Sequence, residues 1–243
     1  MKTLKKIVVR TLLVLAAVFV ALFAYVKWYV DYGPDIPAAL PNTIRIACIG
    51  DSITEKVPFF AERRYPERLG DRLGAGYSVR NFAAIAYTAQ KDGDKSYWSH
   101  RYFQLSSEFA PNVVLIMLGT NDTKPQNWAG PERFERDYRA LIQHYRSLDS
   151  KPRVILMTPP STFLVKGHKE LPSKMNAEHV ATITTMLKRI GGELGRTVID
   201  IHAITAPHPE FFELDGVHPD SNGDQLIADA VYAELNKAAV PAN

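Results

Sequence analysis

The feature that most constrains this chain is an apolar run with little alternation, Ile44-Arg45-Ile46-Ala47-Cys48-Ile49, that leads into Gly50-Asp51-Ser52-Ile53-Thr54. A strand that is half solvated alternates apolar with polar residues. One that is apolar on both sides is covered on both faces, as in a parallel sheet. Gly50 lets the backbone turn sharply at the strand's end. Ser52 then stands at the carboxyl edge of a central strand, where open α/β sheets bind ligands. A serine there is either a nucleophile or the cap of a following helix. The rest of the chain has to decide between these.

The same pattern recurs. Val113 to Leu118 and Arg153 to Met157 are further apolar runs, and Ser78 to Phe82 and Thr197 to Ile201 make shorter strands. Between them lie helical stretches. Tyr65 to Leu73 stops at Gly74-Ala75-Gly76. Pro131 to Leu148 carries Phe134, Tyr138, Leu141, Ile142 and Tyr145 on one stripe, and Asn176 to Ile190 turns Val180, Ile183, Leu187 and Ile190 inward. A last helix opens at Ser221, with Asp224 in the reciprocal capping position. Strands alternating with helices predict a parallel sheet with helices on both faces. The connection from Thr158 to Lys174 is long, and such loops over a carboxyl edge often line a site.

Charge separates the amino end from the rest. Residues 1–30 hold Lys2, Lys5, Lys6, Arg10 and Lys27 and no acid, whereas the remainder has 24 basic and 26 acidic side chains. The basic balance therefore belongs to the leader, and no nucleic-acid surface is implied. Thr11 to Val26 is uncharged, with Trp28 and Tyr29 at interface depth beyond it. Leu22-Phe23-Ala24 lacks the pair of small residues that a cleavage site needs, so an uncleaved anchor is preferred to a removed signal peptide. The preceding positive charge keeps the amino end cytoplasmic and puts the remainder outside, as a secreted protein if the leader is cut. The expected organisation is an anchor over 1–30, a Pro-rich linker over 31–42 and a folded domain over 43–243. Cys48, the single cysteine, rules out an internal disulfide and reads as a small buried hydrophobe.

Two further clusters follow strands and share the edge with Ser52. Gly119-Thr120-Asn121-Asp122 ends the third strand, and Asp215-Gly216-Val217-His218-Pro219 precedes the last helix. A histidine three residues after an aspartate can take a carboxylate at one ring nitrogen and offer the other outward. Asn121 adds an amide donor suited to an oxyanion. Asp51 and Asp122 read as ties for their loops, Asp200 and His202 as structural residues of the fifth strand. His168 and His179 lack metal-ligand spacing, so no metal and no cofactor is assigned.

Together Gly50-Asp51-Ser52, Gly119-Thr120-Asn121-Asp122 and Asp215-x-x-His218 resemble the blocks of the GDSL or SGNH hydrolases, over roughly Ile44 to Leu235. The stretches Lys124 to Trp128 and Thr158-Pro159-Pro160 look most like sialate O-acetylesterase-like members and carbohydrate acetylesterases. The resemblance implies a flavodoxin-like three-layer α/β/α fold with about five parallel strands. It implies Ser52 as nucleophile, His218 as base and Asp215 as its orienter. The oxyanion donors would be the Ser52 N–H, the Asn121 side chain and the N–H of Ala83. This chain departs from the family's Asn-x-Gly-x-x-Gly, because Ala83 and Ala86 stand where it has glycines. An alanine held in a left-handed conformation would cost about 1–2 kcal/mol. Trp128 and Phe163 are candidate substrate-binding aromatics. The implied activity is removal of short acyl groups from O-acylated saccharides. The alternatives are a lysophospholipase or thioesterase with the same triad, for which Val57-Pro58-Phe59-Phe60 would form an apolar lip, and a non-catalytic glycan binder.

Overall fold

The computed structural model describes residues 2–55 and 63–237, so the Val57 to Phe60 lip lies outside the described residues. The chain divides into two units, Met1–Asp35 and Ile36–Asn243. The first is built on one helix, α1 (Lys2–Asp31), whose segment Lys6–Asp31 is long and apolar enough to cross a membrane.

The second unit is a five-stranded parallel sheet with β1 (Ile44–Gly50), β2 (Tyr77–Asn81), β3 (Val113–Met117), β4 (Arg153–Met157) and β5 (Val198–Ile199), in the order β2-β1-β3-β4-β5. The helices are α2 (Tyr65–Leu73), α3 (Arg101–Glu108), α4 (Pro131–Ser147), α5 (Ala177–Leu194), α6 (Ile201–Thr205) and α7 (Ser221–Lys237). Side chains of a strand point alternately to opposite faces, and the two cores show it. Ala47, Ile49, Val114, Ile116, Val154 and Leu156 pack with Phe134, Tyr138, Leu141 and Tyr145 of α4 and with Ile183, Leu187 and Ile190 of α5. Ile46, Cys48, Val113, Leu115, Ile155 and Met157 pack with Tyr65 and Leu69 of α2 and with Ile227 and Val231 of α7. The three-layer α/β/α architecture is thus the one expected. The strand order also places β1 between β2 and β3, both of which follow it in the chain, so the carboxyl ends of β1 and β3 flank the point where the order reverses.

Three local expectations change. The stretch read as a Pro-rich linker is tied down in its second half: Arg80 of β2 donates from Nε to the Pro37 carbonyl at 2.8 Å and from Nη2 to the Ala38 carbonyl at 2.7 Å, and Leu40 N–H donates to Ser78 Oγ at 2.9 Å. Residues 37–40 are therefore bonded to side chains of the edge strand β2. The fifth strand stops at Ile199, because Asp200 caps α6 by accepting the Ala203 N–H at 3.1 Å. At α7 the cap is Asp220, whose Oδ1 accepts the N–H groups of Asn222 at 2.7 Å and Gly223 at 3.0 Å. Asp224 is drawn instead to Arg64, at 2.8 Å in a buried ion pair.

Candidate active site

The loop that carries Ser52 is shaped by Gly50, where a Cβ would lie 2.1 Å from Thr54 Oγ1 and 3.2 Å from the Met117 carbonyl. No other residue fits that close approach. The chain then turns back, with Thr54 and Glu55 N–H groups donating to the Asp51 carbonyl at 3.0 and 2.9 Å. This turn leaves Ser52 partly exposed rather than capping a helix.

Ser52 Oγ lies 2.8 Å from His218 Nε2, although 166 positions separate the two residues. His218 Nδ1 lies 2.6 Å from Asp215 Oδ2. The other carboxylate oxygen, Oδ1, accepts the N–H groups of Val217 at 2.9 Å and His218 at 3.0 Å. Burial pushes the Asp215 carboxyl up, but the His218 ring and these two N–H groups outweigh it and hold the group well below the ordinary carboxylate range. Hydroxyl, imidazole and carboxylate form one hydrogen-bonded chain, the arrangement that lets a weak hydroxyl lose its proton to a base of defined tautomer.

Asn121, from the turn after β3, donates from Nδ2 to Asp51 Oδ2 at 3.2 Å, and its backbone carbonyl is fixed by Asn127 Nδ2 at 3.0 Å. The Ala83 N–H is not left as expected: it donates to Asn81 Oδ1 at 3.0 Å, within a loop also pinned by Asn81 Nδ2 to the Thr54 carbonyl at 2.8 Å. Ala86, three residues on, has an N–H without a hydrogen-bond acceptor among the described residues and a left-handed backbone at φ 72°. The position that wants a glycine is therefore Ala86, and only the backbone angle shows it. Asp122 serves as a tie, as read from the sequence, accepting the N–H groups of Ala89 at 3.0 Å and Gln90 at 2.9 Å.

The long loop after β4 reaches the His218 loop. Phe163 N–H donates to the Gly216 carbonyl at 2.8 Å, Leu171 and Met175 cluster with Val217, and the Phe163 ring meets Phe212 at 4.8 Å. Asp215 also lines a cleft of about 720 Å³ with Val165, His168, Leu171 and Leu214. Trp128 has one face covered by His179, stacked at 4.2 Å, so half of its ring is already occupied. The sequence missed Gly216, where φ is 69° and a Cβ would lie 1.9 Å from the Phe163 carbonyl oxygen. We expect Gly216→Ala to push the two loops apart and lower kcat on p-nitrophenyl acetate about 10-fold or more, since small misplacements of reacting groups are costly. Steady-state kinetics on the folded variant checks this, and an unchanged kcat would mean the loops yield freely.

Residues 48–226 match the GDSL-like Lipase/Acylhydrolase family. The chain is similar to an acetylxylan esterase of Xylanibacter ruminicola, 30% identical over 219 residues, which are 82% of this chain and 45% of that protein. The chain thus spans under half the length of that relative. It is also similar to thioesterase 1/protease 1/lysophospholipase L1 of Escherichia coli, 21% identical over 199 residues covering 82% of this chain and 85% of that one. Among solved structures, the native M. smegmatis aryl esterase superposes with a TM-score of 0.63 at 18% identity, over 79% of this chain and 98% of its own. With the family matched across most of the folded unit, this chain belongs to the GDSL-like lipases and acylhydrolases.

Proposed function

We propose that this protein is a serine esterase that removes short acyl groups, acetyl foremost, from O-acylated saccharides. The observation that carries the reading is the hydrogen-bonded chain from Ser52 Oγ through His218 to Asp215 at 2.8 and 2.6 Å. His218 Nε2 takes the Ser52 proton as Oγ attacks the ester carbonyl. The oxyanion is received by the Ser52 N–H, the Ala86 N–H and Asn121 Nδ2. His218 returns the proton to the departing alcohol, leaving an acyl-serine. The imidazole then activates a water that releases the acid. The 30% identity to an acetylxylan esterase supports an acetylated glycan as substrate. Phe163 and the cleft beside Asp215 are where the rest of such a substrate would lie. The helix α1 would hold the enzyme in a membrane with its folded unit on the non-cytoplasmic side.

A second reading, thioesterase or lysophospholipase action through the same groups, is favoured by the resemblance to the Escherichia coli enzyme and by the apolar helix. A fluorophosphonate probe and a series of p-nitrophenyl esters test both. We expect the probe to add to Ser52, and turnover to fall sharply beyond short acyl chains. Turnover that rises with chain length would favour the lipid reading. Absence of labelling would favour a glycan binder over any hydrolase.

A further inference from the structure

Asp51 stands directly before the nucleophile and is 1% exposed. Its Oδ1 accepts the Ile53 N–H at 3.0 Å, which accounts for one oxygen as a loop tie. The other oxygen does something different. Oδ2 accepts from the side-chain amide of Asn121, itself 1% exposed, at 3.2 Å. An asparagine side chain has two ends of nearly equal shape and opposite polarity, a carbonyl oxygen that accepts and an NH₂ that donates. An ionised carboxylate only accepts, so it binds the NH₂ end alone and dictates which way the amide stands.

Resting on the serine-esterase reading above, we propose that Asp51 is a positioning residue whose ionised carboxylate holds the NH₂ end of Asn121 toward the oxyanion. A protonated Asp51 becomes a donor and can bond the amide oxygen of Asn121. The amide then turns, and an oxygen in place of an N–H faces the developing negative charge.

The charges around the pair fit this assignment. Burial pushes the Asp51 carboxyl up to about 6, against the Ile53 N–H, the His218 imidazole, the Lys124 ammonium and the Asn121 amide, all of which favour the charged form. Asp122 faces it from the turn after β3, and its own carboxyl is pushed to about 6, chiefly by burial and partly by the Asp51 charge. Lys124 is 7% exposed. Burial draws its ammonium downward, Asp94, Asp51 and Asp122 hold it up, and Lys95 opposes them.

The test separates positioning from mere support, because a structural tie would be missed by the fold. Asp51→Asn keeps an acceptor for the Ile53 N–H and removes a buried carboxylate. We expect its thermal midpoint at pH 7.5 to be equal to the parent's or higher, while kcat on p-nitrophenyl acetate falls about 10- to 100-fold with KM unchanged. A readout free of activity is the side-chain NH₂ pair of Asn121 in the Ser52→Ala protein, identified by its loss in Asn121→Ala and followed by ¹⁵N–¹H spectra from pH 5 to 8. Its signals should shift with a midpoint near 6 and should still shift, at higher pH, when His218 is replaced by Gln. An NH₂ pair indifferent to pH, or an Asp51→Asn protein with the parent's kcat, overturns the proposal. If Asp51→Asn does not fold, the parent titration still decides. A parent that hydrolyses no ester removes the esterase reading and leaves the NH₂ titration to judge the Asp51–Asn121 coupling separately.

Discussion

In the Asp215→Asn protein, kcat for p-nitrophenyl acetate should fall about 10⁴-fold, with KM close to the parent's, as for the equivalent change in serine-protease triads. The reason lies in how Asp215 is already held. Its Oδ1 accepts two backbone N–H groups, from Val217 and His218, and only Oδ2 is left for the imidazole. An asparagine in that place keeps its carbonyl oxygen on the two N–H groups, so its NH₂ is forced toward His218 Nδ1. The imidazole must then accept at Nδ1 and carry its proton on Nε2, the nitrogen that faces Ser52 Oγ at 2.8 Å. A protonated Nε2 cannot act as base. Fold and substrate binding are left in place, which makes the effect one on kcat. The pH profile adds a check. Because the Asp215 carboxyl is held well below its ordinary range, it stays ionised across the working pH, and no limb of the parent profile belongs to it. Its contribution to stability is present above the unfolded value near 3.9 and is lost only as pH falls toward the depressed native one. A loss of 10-fold or less in Asp215→Asn would mean that the carboxylate does not set the tautomer.

What could be read from the sequence were the features that local pattern determines. Largely apolar runs marked β1, β3 and β4, and the stripe from Phe134 to Tyr145 marked α4, because burial on a sheet or along one helix face leaves its period in the chain. Serine, histidine and aspartate could be named because their spacing within each loop is itself local. The features missed depend on partners far away. The stretch from Pro37 to Leu40 looks like a spacer until Arg80 and Ser78 of β2 bond its backbone. Asp224 sits where a capping residue belongs, yet a buried guanidinium 160 positions away takes its carboxylate and Asp220 supplies the cap. The left-handed position in the Asn81 loop was missed for another reason. Glycine in a motif announces a left-handed backbone, and here alanine occupies both positions, so the sequence gives no sign that Ala86 and not Ala83 carries the positive φ. The run from Thr197 to Ile201 has strand-like composition, but Asp200 is also a strong helix cap, and the cap prevailed.

Arg64→Met should cost about 3–5 kcal/mol of stability at pH 8, the usual penalty for breaking a buried ion pair from one side. Arg64 and Asp224 are 5% and 0% exposed and meet at 2.8 Å; Arg64 Nη1 also donates to the Pro219 carbonyl at 2.9 Å, and Asp224 Oδ1 accepts the Tyr65 N–H at 3.1 Å. The pair thus joins the start of α2 to the start of α7, immediately beyond His218. Removing the guanidinium strands a carboxylate that burial already pushes up to about 6, with Arg64 the first of the groups opposing that rise. The sign with pH follows. A carboxyl raised above its unfolded value near 3.9 binds its proton more tightly in the native state, so stability falls as pH rises between the two values. Without Arg64 the native value rises further, and the decline continues to higher pH in the variant than in the parent. The deficit should therefore be small at pH 5, where Asp224 is largely protonated in both proteins, and grow toward pH 8. For a folded unit of this size, 3–5 kcal/mol lowers Tm by roughly 6–20 °C. Thermal unfolding of both proteins at pH 5 and pH 8 measures the difference. A deficit equal at the two pH values would assign the loss to the packing of the arginine stem and not to the stranded charge. If the charge is the cause, Arg64→Met/Asp224→Asn should recover most of the stability at pH 8, since a neutral amide can still accept the Tyr65 N–H without an uncompensated buried ion.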